Sequence, residues 1–196
     1  MDMSSCSPSI TTMIRMDHTH VMAAFHRYHA QTPWWRKRAI VELACTALEI
    51  HAQLEEEIFY PALSEVMAGD ERLTKSKPEH DAMREEIAKL RAMGPQDAAY
   101  DARFMQLMRE VMHHVADEET ILLPAAEKLL EDKLGDLGAQ MTKRRLQLAG
   151  PRSGEIALDM GRAASGNTAA IAMVGLAAAG LLLARRSGHR RWHARA

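Results

Sequence analysis

Apolar positions recur at alternating spacings of three and four along much of the first 131 residues, a helical rhythm rather than the strict alternation of a strand. In one stretch Val41, Ala44, Leu48, His51, Glu55, Ile58 and Ala62 share a single seam. In another, Phe104, Leu107, Val111, His114, Glu118, Ile121 and Ala125 do the same, each 63 residues later. The rhythm predicts helices at roughly 10–30, 33–66, 77–93 and 97–131. Turn chemistry supports the breaks: Gly69-Asp70 and Gly94-Pro95 interrupt the pattern. Thr32-Pro33 reads as an N-cap followed by proline, and Ser76-Lys77-Pro78-Glu79 reads as a capping box. Short connections make sequential helices antiparallel neighbours, so the expected fold is all-α, an up-down-up-down four-helix bundle with a C-terminal hydrophobic helix.

Beyond residue 132 the rhythm loosens. Gly135, Gly138 and the run Gly150-Pro151-Arg152-Ser153-Gly154 point to a linker or amphipathic segment over 132–162, leaving residues 10–131 as the bundle. Residues 163–184, AASGNTAAIAMVGLAAAGLLLA, carry no charge. As a helix they would extend roughly 33 Å, enough to cross a bilayer. This predicts a transmembrane or membrane-associated helix followed by a basic tail at 185–196. Gly175 and Ala179 form a small-xxx-small pair suited to self-association, so a homo-oligomer is one expectation.

The seams contain residues that an apolar core does not welcome. HAQLEEEIFYPA at 51–62 and HVADEETILLPA at 114–125 agree at six of twelve positions, including His, Glu and Pro. The first and third helices repeat as well, at an offset of 62: Asp17-His18, Val21, Phe25 and Tyr28 match Glu79-His80, Met83, Ile87 and Leu90. Each half therefore reads acid-His, then HxxxEE with a proline following. An unpaired buried polar group costs about 1–3 kcal/mol and a buried charge more. Cations would offset that cost, because neutral imidazole and ionised carboxylate suit iron, manganese or zinc. The i, i+4 spacing stacks His51 with Glu55 and His114 with Glu118 on one helix face. A single HxxxE is ordinarily an exposed ion pair; two copies in the same seam phase, each facing an acid-His, are not. Glu56 and Glu119 fall one residue off the seam, so they are solvated or flank the site. His20, His26 and His113 point away, and His29 lies roughly 16 Å along the helix from His18.

Composition narrows the functional classes. Charged residues make up 26% and hydrophobic ones 47%, which suits a folded helical chain and not a disordered one. The net charge is −1, and the last twelve residues hold five Arg, so residues 1–184 carry −6. An acidic body argues against nucleic-acid binding. Cys6 and Cys45 form no CxxC pair, which excludes a thiolate zinc site and a disulfide framework. The N-terminal residues lack a secretory h-region, so the expected location is the cytoplasm, with the bundle tethered to the inner membrane by its C-terminal segment.

The residues Asp17-His18, HAQLEEEIFYP, Glu79-His80 and HVADEETILLP together resemble the haemerythrin-like HHE cation-binding family over about residues 10–131. That resemblance implies a bundle around a non-haem di-iron centre. By analogy His18 and His51 serve one iron, His80 and His114 the other, and Glu55 and Glu118 bridge them. Ferritin-like bundles differ in using Glu-x-x-His and more carboxylates. Oxygen-carrying haemerythrin has a further His where this chain has Arg84. Six protein ligands supply about eight bonds where two octahedral irons want about twelve, leaving room for O2, peroxide or NO. The implied functions are sensing, delivery or scavenging of such a molecule. The alternatives are a peroxide- or NO-decomposing enzyme, with Tyr28 tuning the centre, or a non-redox metal store.

Overall fold

In the computed structural model residues 7–164 are described, and every regular element among them is helical. Helix α1 is Ile10–His26, with the Ser9 hydroxyl accepting from the Thr12 amide at 3.2 Å as its N-cap. Helix α2 begins as Trp34–Leu54, passes through a π-helical turn at Glu55–Phe59 and ends in Tyr60–Ser64. Helix α3 is Glu71–Ala92. Helix α4 repeats the construction of α2: Tyr100–Asp117, a π turn at Glu118–Leu122, then Leu123–Leu129. α1 packs on α2, α2 on α3, α3 on α4, and the far end of α4 returns to α1, closing the up-down-up-down bundle.

Helix α3 starts six residues before its expected position. Asp70 is the N-cap, its carboxylate accepting from the Arg72 amide at 3.0 Å, and the good helix formers after it carry the helix straight through Pro78. Ser76 caps nothing; its hydroxyl donates to the Arg72 carbonyl within the helix. The turn before it uses Gly69 at φ +81°, a conformation that favours glycine. At the start of α2 the N-cap is Pro33 rather than Thr32, with no side-chain cap.

The two π turns shift the buried seam by one residue. Beyond Glu55 the buried positions are Phe59 and Leu63, not the expected Ile58 and Ala62; beyond Glu118 they are Leu122 and Ala126, not Ile121 and Ala125. The repeated prolines give a physical reason. In an α-helix Pro61 and Pro124 would each press on the carbonyl four residues back and leave it without a donor. The wider turn relieves this: the amide just before each proline, Tyr60 or Leu123, bonds five residues back to Glu55 or Glu118.

A polar layer divides the core. On one side lie Val21, Ile40, Leu48, Ile87, Phe104, Met108 and their neighbours; on the other lie Ile10, Ile14, Leu54, Phe59, Leu63, Leu122 and theirs. Residues 132–162, expected to be a linker or amphipathic segment, form two docked helices, α5 (Leu134–Ala149) and α6 (Ser153–Ala163). Leu137 and Met141 complete one cluster and Ala163 the other, which explains why glycine content did not leave this segment loose. α5 approaches the N-terminal residues so closely that a Cβ on Gly138 would stand 2.1 Å from the Pro8 carbonyl oxygen. Arg144 grips Glu57, Arg145 grips Asp17, and Arg152 grips Glu49, so ion pairs extend the apolar contact. The hydrophobic stretch expected to reach the membrane, apart from its first two residues, and the basic tail lie outside the described residues. Among the described residues no helix is long and apolar enough to cross a membrane.

Candidate metal centre

The polar layer consists of His18, His51, Glu55, His80, His114 and Glu118, all buried, brought together at mid-height from all four bundle helices. Their donor atoms form two groups, His18, His51, Glu55 and Glu118 in one, Glu55, His80 and His114 in the other. The resemblance implies two glutamates shared between the halves; here Glu55 is common to both groups and Glu118 falls in the first. Glu118 reaches toward the second group as well, its Oε2 lying 3.1 Å from His18 Nε2 and 3.5 Å from His114 Nε2. Glu55 Oε2 lies 3.2 Å from His51 Nε2 and 3.4 Å from His80 Nε2.

In every case Nε2 faces inward and Nδ1 faces a carboxylate outside the cluster. His18 pairs with Glu119 at 2.7 Å, His80 with Glu56 at 3.0 Å, His114 with Glu79 at 2.8 Å, and His51 with Asp17 at 3.5 Å. Each of these carboxylates is held in turn by a cation: Arg15 on Glu119, Arg84 on Glu56, Lys75 on Glu79, and Arg145 on Asp17. The arrangement orients each ring and fixes its tautomer, leaving Nε2 as a lone-pair donor toward the centre. Glu56 and Glu119 therefore flank the site, and the acids of the two acid-His pairs acquire a purpose that spacing alone did not reveal. Arg84 sits outside the cluster, anchoring Glu56 at 2.9 Å.

The donor set is poorly satisfied by itself. His51 Nε2 and Glu55 Oε1 are fully buried without a hydrogen-bond partner among the described residues. Burial, then the neighbouring Glu118 charge, pushes the Glu55 carboxyl well above its usual range. Burial acts in the same direction on Glu118, but hydrogen bonding from His18 and the charges of His114 and His51 outweigh it and hold Glu118 low. Burial, reinforced by the His114 and His51 charges, depresses His80 to about 2. Two carboxylates that cannot both ionise, beside imidazoles with inward lone pairs, fit a cation well: it would supply the positive charge and the missing partners.

Tyr60 joins the cluster unannounced by the seam pattern. Its hydroxyl donates to Glu118 Oε1 at 2.8 Å, lies 3.2 Å from Glu55 Oε2, and stands 3.5 Å from Nε2 of both His80 and His114. The π turn brings it there, since the bulge rotates the residues after Glu55 relative to a regular helix. Its repeat counterpart is Leu123, so the centre is polar on one half and apolar on the other. The one visible signal was this Tyr/Leu mismatch between otherwise matching segments. Tyr28, by contrast, is remote: its hydroxyl donates to Asp101 and its ring packs on Phe104. His20, His26, His29 and His113 are exposed.

A narrow pocket meets the centre from one side. It is lined by Asp17, His18, His51 and His114 and by the apolar side chains of Val21, Met22, Leu48, Met83, Val111 and Val115.

Fold and donor set define a helical-bundle protein of the His/Glu metal-binding type. The chain matches the family described as Hemerythrin HHE cation binding domain over residues 9–126, more than half its length, and it belongs to that family. Among solved structures it is similar to a hemerythrin HHE cation binding domain-containing protein from Mycobacterium kansasii, with a TM-score of 0.63 and 20% identity. That alignment covers 79% of this chain and 93% of the other, and it establishes a shared fold. A search of curated proteins finds no match.

Proposed function

We propose that the chain is a non-haem di-iron protein that binds O2 or a related small molecule for sensing, delivery or scavenging. His18 and His51 would hold one iron and His80 and His114 the other, with the Glu55 and Glu118 carboxylates within reach of both; manganese or zinc suits the same donors. Such a pair of irons supplies reversible electron transfer to a small bound molecule. The chain's own residues do the rest. The four outer carboxylates keep each Nε2 aimed inward, the narrow pocket limits what reaches the centre, and the Tyr60 hydroxyl positions Glu118 by donating to it. The observation that carries this reading is the orphaned pair His51 Nε2 and Glu55 Oε1, buried and aimed into a cluster of otherwise oriented donors.

Tyr60 supports a second reading, decomposition of peroxide or NO, because its hydroxyl gives one half of the centre a hydrogen-bonding group that the matching Leu123 does not give the other. Metal analysis of the purified protein beside His51→Ala and Glu118→Ala variants tests the common premise. Two irons per chain are expected in the parent and fewer in both variants; unchanged content in either removes that residue from the set. Visible absorption that bleaches reversibly when O2 is removed supports carriage, and rapid peroxide turnover supports catalysis. Tethering to a membrane through residues 163–184, with the bundle in the cytoplasm, also belongs to this proposal. Its support is the uncharged run itself and the basic residues that follow.

A further inference from the structure

The loop end of the bundle between α1 and α2 has features unrelated to the metal centre. Trp34 and Trp35 open α2 side by side, 51% and 46% exposed, though large aromatic side chains are usually covered. They form one wall of a groove of about 430 Å³ whose other wall is α6, through Glu155, Leu158, Asp159 and Arg162. Leu158 is itself 54% exposed. Arg27 and Arg36 bracket the tryptophans in sequence, and both donate to the Ala163 carbonyl, at 2.7 and 3.1 Å. The chain therefore leaves the described bundle at a pinned point beside the tryptophans. The next twenty residues, 165–184, are uncharged, and the tail after them holds five Arg.

We propose that this end of the bundle is a docking face for an anionic lipid surface. Tryptophan suits the headgroup region, where its ring is buried and its N–H stays wet. Arg38 follows, exposed and lining the same groove, and matches lipid phosphate. Three acids also line the groove, Glu42 on the α2 wall and Glu155 and Asp159 on the α6 wall; Glu42 is paired with Arg91 and Asp159 lies against Arg162, so Glu155 is the acid that opposes Arg38 and the exposed tryptophans. The face rests on the membrane-tethering reading, because the described chain ends at Ala164, one residue past the carbonyl that Arg27 and Arg36 hold. It adds a second, separately testable contact.

The test uses the full chain carrying Trp192→Phe, so that Trp34 and Trp35 are the only tryptophans. Vesicles of phosphatidylcholine with phosphatidylglycerol, or phosphatidylcholine alone, are prepared with bromine-labelled acyl chains. Expected results are a blue-shifted emission, quenching by the brominated lipid, and about fivefold weaker partition for Arg38→Gln on the anionic vesicles. Co-sedimentation without any change in Trp34 and Trp35 emission would mean that the tail alone anchors the protein and would overturn the face. Equal quenching by neutral vesicles would overturn its anionic character. Emission already shielded from iodide before vesicles are added would show the groove filled by the chain's own residues, which also defeats the proposal.

Discussion

Replacing Glu55 by Gln should make the metal-free protein more stable while removing its ability to load metal. Glu55 is fully buried, its Oε1 has no partner, and burial together with the Glu118 charge raises its carboxyl well above the usual range. An amide of the same shape cannot ionise and its N–H can donate toward Glu118, so the substitution removes a buried, chargeable group beside a like charge without opening a cavity. Leaving such a group unmade costs about 1–3 kcal/mol, so the metal-free variant should gain about that much. For a chain of this size each kcal/mol moves Tm by about 2–4 °C, giving a rise of about 2–12 °C. The sign with pH follows from the raised carboxyl. In the parent, Glu55 supports folding fully below its unfolded value near 4.5 and progressively less as pH rises toward its folded value. The stability gap between variant and parent should therefore widen from pH 4 to the alkaline side. Thermal and urea denaturation of both proteins after chelation, across that range, measures it. A variant less stable than the parent at alkaline pH, or an unchanged pH slope, would show that Glu55 is not the strained member of the cluster.

Other perturbations separate the parts of the design. Tyr60→Phe removes the hydroxyl that donates to Glu118 at 2.8 Å; the metal-free protein should lose about 1.5–3 kcal/mol in denaturation, as expected for a hydrogen bond to a charged group. The same variant, once iron-loaded, should change its visible spectrum, whereas Tyr28→Phe should not, because Tyr28 serves Asp101 instead. Gly138→Ala forces a Cβ against the Pro8 carbonyl and should destabilise by about 1–3 kcal/mol with iron content unchanged. Metal uptake should release protons, since Glu55 and, through Glu118 and Glu119 acting against burial, His18 both hold theirs above the ordinary range. Titration in weak buffer with an indicator dye should therefore show acid release on loading, and apparent affinity should fall as pH drops.

The sequence alone determined which residues meet. Heptad phase placed His51, Glu55, His114 and Glu118 on inward seams, and the offset repeat placed His18 and His80 opposite them. Periodicity suffices for this because a bundle seam is a local property of each helix, and sequential helices at equal height bring equivalent residues together. Three things needed the tertiary structure. The π turns were hidden because heptad counting assumes a constant rise, yet a proline four residues from a carbonyl in the wall of a crowded site forces one residue more into the turn; that is why Ile58 and Ile121 are only partly buried while Phe59 and Leu122 take the core positions and Tyr60 reaches the centre. The outer carboxylates were legible as residues but not as partners, since Asp17 serves His51 across the bundle rather than its own neighbour His18. The two C-terminal helices were unreadable because glycine is a weak local argument for a linker once Leu137, Met141 and Ala163 find apolar surface on a bundle that sequence does not display.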